Sequence, residues 1–564
     1  MKKVIVLILV CCMVVSVFAG CNKNNVLEEN ASALVDDEIE EVESRGNDDF
    51  KLKYDDRYVF ENEISKIVTV AVKSKKVNTD KYDECVLSIV EGSQNKKVVA
   101  NGVGTAEIIF KTGETLKVEV EAADISMLLI IGQSNAEGQI QPDTGNFDAN
   151  TYQEAISQSI ICEEGQVYST YAPGLSTTHG NGVGNTTFSN TLSISNYGSF
   201  VASSLTSSTN IQGTELSYPL NSLTVEGQGK TGVDSGIAYQ WNELRGEKVW
   251  VINASHGGSK ISTWQAGAYE TDNNFWQAVR LFGACQQVMR AEMVAGHYKL
   301  TTMGYFWLQG EADMNMTSDE YMENYKNMHL SLKEQLVFDK DLDGSAESII
   351  DFGGIMMVRS CLDHTGKGDL KMRGVRIAQY CMGQDNTGEF RDVYLASSVT
   401  EAWTSDSAVK EYFEQKYGNS YPYAMRGNWS LPTTMTEIHP NIHYRQLGYN
   451  EIGLTSAQTV ADILEGARID ASNANIKLLK EDGYTEFSEN GVITLRAGVP
   501  LVAVPKCLDA VGKRDKIELI CDLTAVKINA YTVTAEGISN VTEGSLYVKV
   551  NGKVVLTFDI EVIP

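Results

Sequence analysis

Proline is scarce in this chain, with 9 among 564 residues, and glycine, at 48, falls far short of a repeat composition. A collagen-like or mostly disordered chain is thereby excluded. Ten cysteines are present, but no two form a C-x2-C pair, which speaks against a structural zinc module. Basic residues are few: 47 Lys and Arg face 74 Asp and Glu, a formal charge of −27. A surface this acidic repels phosphate backbones, so nucleic acid is disfavoured as a partner. What is there suffices for folding. Apolar residues make up 43% and charged residues 21%, enough to bury a core. At roughly 100–200 residues per domain, the length predicts about three to five domains.

The one long apolar run lies at the N-terminus, residues 3–19. Lys2 and Lys3 stand at its start, and Ala19-Gly20-Cys21 at its end. Charge, apolar stretch and small residues in that order predict a secretory signal. Small residues directly before a cysteine resemble a bacterial lipobox, although Phe18 stands where Leu is usual. The expectation is a signal over 1–20 and lipidation of Cys21, which places the mature chain in the bacterial cell envelope, facing outside the cytoplasm. The competing reading is an uncleaved transmembrane anchor. Seven cysteines remain, an odd and scattered set that reads as buried thiols. Cys507 and Cys521 form the one local pair worth testing for a disulfide.

Residues 21–50 read as an acidic, extended tether: between 22 and 49, ten acidic residues face two basic ones, without an aromatic. Residues 51–124 alternate apolar and polar positions in short runs such as IVTVAVKS and LKVEVEA, which predicts a small β-sandwich. The end of this region weakly resembles bacterial Ig-like repeats. Residues 475–564 read the same way, in GVITLRAG, KIELICDL and KVVLTFDIEVIP. The middle, 125–467, differs. Near-continuous apolar strands at 127–132, 248–255, 303–310, 352–359 and 393–399 alternate with helical segments at 275–295, 318–336, 368–382, 407–417 and 446–465. That rhythm predicts a parallel sheet covered on both faces, with ligands at the carboxyl ends of its strands. The stretch 160–230 is rich in Ser, Thr, Gly and Asn and reads as an insertion or a substrate-facing loop.

Four segments stand at those strand ends. Gly132-Gln133-Ser134-Asn135 follows the first strand, and a serine there can expose a hydroxyl that a neighbouring base activates. A polar turn or helix cap is the plainer alternative. Ser255-His256-Gly257-Gly258-Ser259 offers backbone N–H groups unhindered by a Cβ, suited to an oxyanion hole. Gln309-Gly310-Glu311-Ala312-Asp313 brings an amide donor, with Asp313 also able to open the helix near Ser318. The segment Glu437 to Tyr449 carries His439 and His443. Pro440 between them breaks a helical metal pair, so a general base is the better reading, with no metal and no cofactor.

In this order the four segments resemble the SGNH hydrolases, most closely the sialate O-acetylesterase and acetylxylan esterase (SASA) branch. That branch carries G-Q-S-N, a G-G-[ST] segment followed by Trp, Q-G-E-x-[DN], and a His before the final helix. Val375-Arg376-Ile377-Ala378-Gln379 resembles its recurring R-x-A-Q helix. The resemblance implies a flavodoxin-like three-layer α/β/α domain, here flanked by Ig-like β-sandwiches. It implies Ser134 as nucleophile, with an oxyanion hole from its own N–H, Gly257 or Gly258, and Gln309. The sequence departs from the closing D-x-x-H: Pro440 precedes His443 by three residues and Thr436 so precedes His439. His443 is the better base, because Gly448-Tyr449 follow it as in the family, and His439 is assigned packing or orientation. Glu437 is a candidate for the missing acid. The implied activity is deacetylation of O-acetylated carbohydrate, sialic acid or plant polysaccharide. The alternative is a weak or inactive glycan-binding protein on the same fold.

Overall fold

The computed structural model describes residues 50–59, 72–76, 86–91, 96–110, 113, 115–138, 158, 160, 162, 165–169, 220–221, 232–267, 274–348, 350–359, 370–384, 388–423, 425, 429–467, 476–480, 485–507, 516–529 and 531–564. The signal, Cys21 and nearly all of the tether lie outside them, as does most of the 160–230 stretch. Two compact units are present: one runs to Ala123 and includes Glu292–Lys299, the other comprises Asp124–Ala291 and Leu300–Pro564.

In the first unit, period-two alternation becomes two small sheets. One is ordered Phe50–Lys53, Thr115–Glu121, Gly104–Ile109, Val72–Lys76; the other Arg57–Val59, Lys96–Ala100, Leu87–Glu91. Ala106, Ile108, Val118 and Val120 point inward from the first, and Leu87, Val98 and Ala100 from the second, into one apolar cluster. Alternate residues of a strand face opposite sides, so the written alternation is what buries one face.

The second unit is built on a seven-stranded sheet. Its strands are β1 (Ala123–Gly132), β2 (Gly165–Ser169), β3 (Leu220–Asn221), β4 (Lys248–Asn253), β5 (Tyr298–Leu308), β6 (Phe352–Met356) and β7 (Val393–Ser397). They lie in the order β3-β2-β4-β1-β5-β6-β7. Pairs β2–β4, β4–β1, β5–β6 and β6–β7 are parallel, and the short β3 runs antiparallel to its neighbour β2. Without the insertion strands β2 and β3, the order is the 2-1-3-4-5 of flavodoxin-like sheets, whose switch point lies beside the first strand.

The helices are α1 (Ser134–Glu137), α2 (Asp234–Arg245), α3 (Asn274–Val294), α4 (Ser318–Gln335), α5 (Arg373–Gln384), α6 (Asp406–Tyr417) and α7 (Gln446–Leu464). Leu128 and Ile130 of β1 join Ile237 and Trp241 of α2 and Ile452 and Val460 of α7 in one core. Residues of the other parity on β5 meet α4: Tyr305 donates to the Tyr325 hydroxyl at 2.8 Å, and Trp307 Nε1 to the Tyr321 hydroxyl at 3.0 Å. The sheet is thus covered on both faces, which is why its strands read as unbroken apolar runs. Thr317, not Asp313 or Ser318, caps α4 by accepting the Glu320 N–H. Asp313 is held inside the site described below.

The described residues of 476–564 form further small sheets around Leu495, Leu519, Leu546, Val548, Phe558 and Ile560. They rest on α5, where Leu479 and Val504 pack with Ile377, Tyr380 and Cys381. Tyr531 donates to Gln384 Oε1 at 2.7 Å. Cys521 is a free thiol, and the side chain of Cys507, its candidate partner, lies outside those described. The Cys521 sulfur accepts the Leu523 N–H at 3.3 Å, closing a turn.

Candidate active site

The site forms where β1, β4 and β5 end side by side. Gln133 N–H donates to Leu308 O at 3.1 Å, and His256 N–H donates to Gly132 O at 3.0 Å. Gly132 adopts φ +142, and a Cβ there would lie 2.1 Å from Leu308 O, so only glycine lets the two strand ends approach this closely. The chain then turns into α1 and presents Ser134, whose residue surface is 5% exposed.

The second segment turns at His256–Ser259, closed by Ser259 N–H to His256 O at 3.3 Å. Gly258 sits at φ +71 with open space where a Cβ would go. Among the described residues, the N–H groups of Gly257 and Gly258 have no hydrogen-bond acceptor. Ser259 fixes the turn by donating to Gly132 O at 3.3 Å while accepting from Trp264 Nε1 at 3.0 Å. The Trp five residues on is thus a brace for this turn.

The third segment differs from its expected part. Gln309 is fully buried, and its Nε2 faces three acceptors: Asp313 Oδ2, Ser259 O at 3.2 Å and Gln133 Oε1 at 3.3 Å. Two amide hydrogens are thereby consumed. Tyr321 donates to its carbonyl side at 2.9 Å, and Gln379 Nε2 to its backbone oxygen at 3.0 Å. Gln309 therefore braces the three strand ends in this structure instead of offering a free donor to an oxyanion. Asp313 also accepts the Ile261 N–H at 2.7 Å. Burial raises its pKa, against the lowering effect of these donors.

Asn135 links the third and fourth segments. Its Nδ2 donates to Glu311 Oε1 at 2.6 Å and to the carbonyl of Ile442 at 3.2 Å, and its Oδ1 accepts from Tyr449 at 2.9 Å. The residue after Ser134 is thus bonded to the residue before His443. Glu311 is 1% exposed, and burial raises its pKa, opposed in part by Arg359 and Asn135. Burial and then the charge of Arg359 push His443 down to about 4, so its imidazole is neutral over the ordinary pH range.

The other candidates lie differently. His439 is fully buried, stacks on Trp403 with ring centroids 6.3 Å apart, and places Nε2 3.3 Å from Trp403 O. Glu437 accepts from the Thr433 N–H at 2.8 Å and from the Thr433 and Thr434 hydroxyls, closing its own turn. One contributor escaped the sequence reading, and another was seen there only in part. Arg359, 1% exposed, lies over the Tyr444 ring at 5.3 Å; its signal was a charge closing the apolar run of β6. Tyr449 was noted as an aromatic and acts here through its hydroxyl. Among the described residues, no group of three or more His, Cys, Asp or Glu is placed to hold a metal ion, and no helix is long and apolar enough to cross a membrane.

Residues 174–341 match the sequence model of a family described as carbohydrate esterase, sialic acid-specific acetylesterase. The match takes in Gly257, Gly258, Gln309, Glu311 and Asp313, and leaves Ser134 and His443 outside. No curated protein matches the sequence. Similar solved structures include one titled NanS, at 15% identity over 61% of this chain and 98% of that one, TM-score 0.31. A carbohydrate acetylesterase from Xanthomonas citri overlaps at 12% identity over 90% and 96%, TM-score 0.29. A protein of Arabidopsis thaliana overlaps at 13% identity over 59% and 96%, TM-score 0.28. These overlaps are too loose to bear on mechanism.

Proposed function

We propose, from the match of residues 174–341 to the family of sialic acid-specific acetylesterases among carbohydrate esterases, that the chain deacetylates sialic acid or plant polysaccharide through an acyl-enzyme on Ser134. Ser134 Oγ attacks the acetyl carbonyl carbon and passes its proton to His443. The N–H groups of Gly257 or Gly258, with that of Ser134 itself, hold the developing oxyanion. Collapse breaks the ester bond, and the sugar oxygen leaves with the proton from His443. Water then gives its proton to His443, attacks the acetyl-enzyme, and releases acetate as Ser134 regains its hydrogen. A base must be unprotonated to begin, which the neutral state of His443 supplies.

The observation that carries this reading is the Asn135-to-Ile442 hydrogen bond, which ties the neighbours of Ser134 and His443 together. The test is acetate release by the full chain from a panel of acetylated sialic acid, acetylated xylan and acetylated pectin, with Ser134→Ala as control. Release from one class, lost in Ser134→Ala, is expected; equal release by Ser134→Ala refutes the mechanism. The mature protein is further assigned to the cell envelope, held by lipid on Cys21, with the flanking β-domains as Ig-like spacers. Cys21→Ser is expected to release it or leave the signal uncut; an unmodified mature N-terminus elsewhere in mass spectrometry contradicts the anchor.

A further inference from the structure

The site lacks an acid three residues before its histidine, and Glu437, the nearby carboxylate, is used up in its own turn. The geometry points to Glu311 as the carboxylate that organises the site at one remove: it orients Asn135, and Asn135 locks the Ser134 turn to the His443 loop. This inference rests on the proposed Ser134–His443 chemistry. Both are positioning residues, since each acts through a bond to another residue.

The argument starts from the amide. Asn135 is fully buried and comes from the turn after β1; its three partners come from the turn after β5, the loop before α7, and α7 itself. An amide nitrogen has two hydrogens, and here one goes to Glu311 Oε1 and the other to Ile442 O. The amide oxygen takes the Tyr449 hydroxyl. Rotating the amide by half a turn would set its oxygen against a carboxyl oxygen and a carbonyl, so one orientation is fixed. The 2.6 Å contact to Glu311 is the shortest of the three. Glu311 Oε2 has no hydrogen-bond partner among the described residues. The carboxyl group is thus committed to Asn135 alone among side chains and is not part of a wider salt-bridge lattice. An orienting acid in a triad fixes an imidazole directly. Here the fixed element is the backbone on which the imidazole rides, held at the Ile442 carbonyl. Small displacements of a catalytic group cost about a hundredfold in rate, so this linkage has a kinetic consequence.

The experiment is a double-mutant cycle in the full chain on 4-nitrophenyl acetate, with Ser134→Ala beside it and melting curves for each variant. Asn135→Ala and Glu311→Ala are each expected to lower kcat about a hundredfold with KM little changed. The double variant is expected to fall no further, because the two act as one unit. Glu311→Gln, which keeps an acceptor for Asn135, is expected to recover most of the loss, and Tyr449→Phe to cost about five- to tenfold. Glu437→Gln is expected to match wild type. If the alanine variants do not fold, Glu311→Gln and Tyr449→Phe against Glu437→Gln decide the matter alone: a loss in Glu437→Gln exceeding theirs overturns the inference. So do additive losses in the cycle, or unchanged kcat in both alanine variants. Loss in Ser134→Ala with no effect at Glu311 overturns the inference and leaves the mechanism standing; activity in Ser134→Ala overturns the mechanism itself.

Discussion

Arg359 stacks its guanidinium carbon 5.3 Å from the centroid of Tyr444, which sets a buried positive charge beside the adjacent His443. A charge in that place favours the neutral imidazole. The acidic limb of kcat/KM for a small acetyl ester should therefore fall near pH 4, not near the 6.5 of a free histidine. The sign follows from the role: a base works unprotonated, so activity rises with pH through its pKa. Arg359→Met removes the second cause and leaves burial, so the limb should move upward, toward 6.5. A pH–rate profile between 3 and 8 checks this, and a limb that stays in place contradicts it.

A second pH effect concerns stability. His329, fully buried on α4, touches Tyr305 at 2.9 Å and Asp392 at 3.0 Å, and Lys333 completes the cluster. Burial alone would raise the Asp392 carboxyl; His329 and Lys333 more than offset it and hold it well below the usual range. A depressed carboxyl contributes stability above its unfolded value of about 3.9, lost as pH falls through that value toward the folded one. Melting temperature should drop below about pH 4 in wild type. Asp392→Asn should melt lower at pH 7 and show a shallower acid drop.

Tyr321 serves both Gln309 and Trp307. Tyr321→Phe leaves the Trp307 N–H and the Gln309 oxygens short of a partner, at a cost of about 1–3 kcal/mol. Urea titration of the two proteins reads that difference directly.

The β-domain over α5 also has a measurable part. Cys381 is 8% exposed beneath it. A chain ending at residue 467 should hydrolyse a small ester, melt lower than the full chain, and react with a maleimide at Cys381. An unreactive Cys381 in that shortened protein contradicts the packing.

Most of the architecture was legible because burial on both faces writes itself as apolar runs: each of the five strand candidates at 127–132, 248–255, 303–310, 352–359 and 393–399 overlaps a strand of the sheet, four of them running two or three residues past its end. The strands Gly165–Ser169 and Leu220–Asn221 were hidden in Ser- and Gly-rich surroundings, being short and lacking an apolar run. Helix α2 was hidden as well, since DSGIAYQWNELR mixes buried Asp234 and Ser235 with its apolar face. At the site, motif spacing located the turns but not their bonds. Gln309 looked like a free donor because nothing in its neighbours announces that Asp313, Ser259 and Gln133 converge on its amide. Asn135 and Glu311 are 176 positions apart, and only the sheet brings them together.

The central claim is that Ser134 and His443 form one catalytic unit, with His439 outside it. Its most direct test is the turnover of 4-nitrophenyl acetate by Ser134→Ala, His443→Ala and His439→Ala in the full chain. Removing either member of a unit costs about as much as removing both. The account predicts losses on the order of a thousandfold or more in the first two variants, equal within a few fold, and a much smaller loss in His439→Ala, whose ring packs on Trp403. Near-normal turnover in His443→Ala, with collapse in His439→Ala, would contradict it.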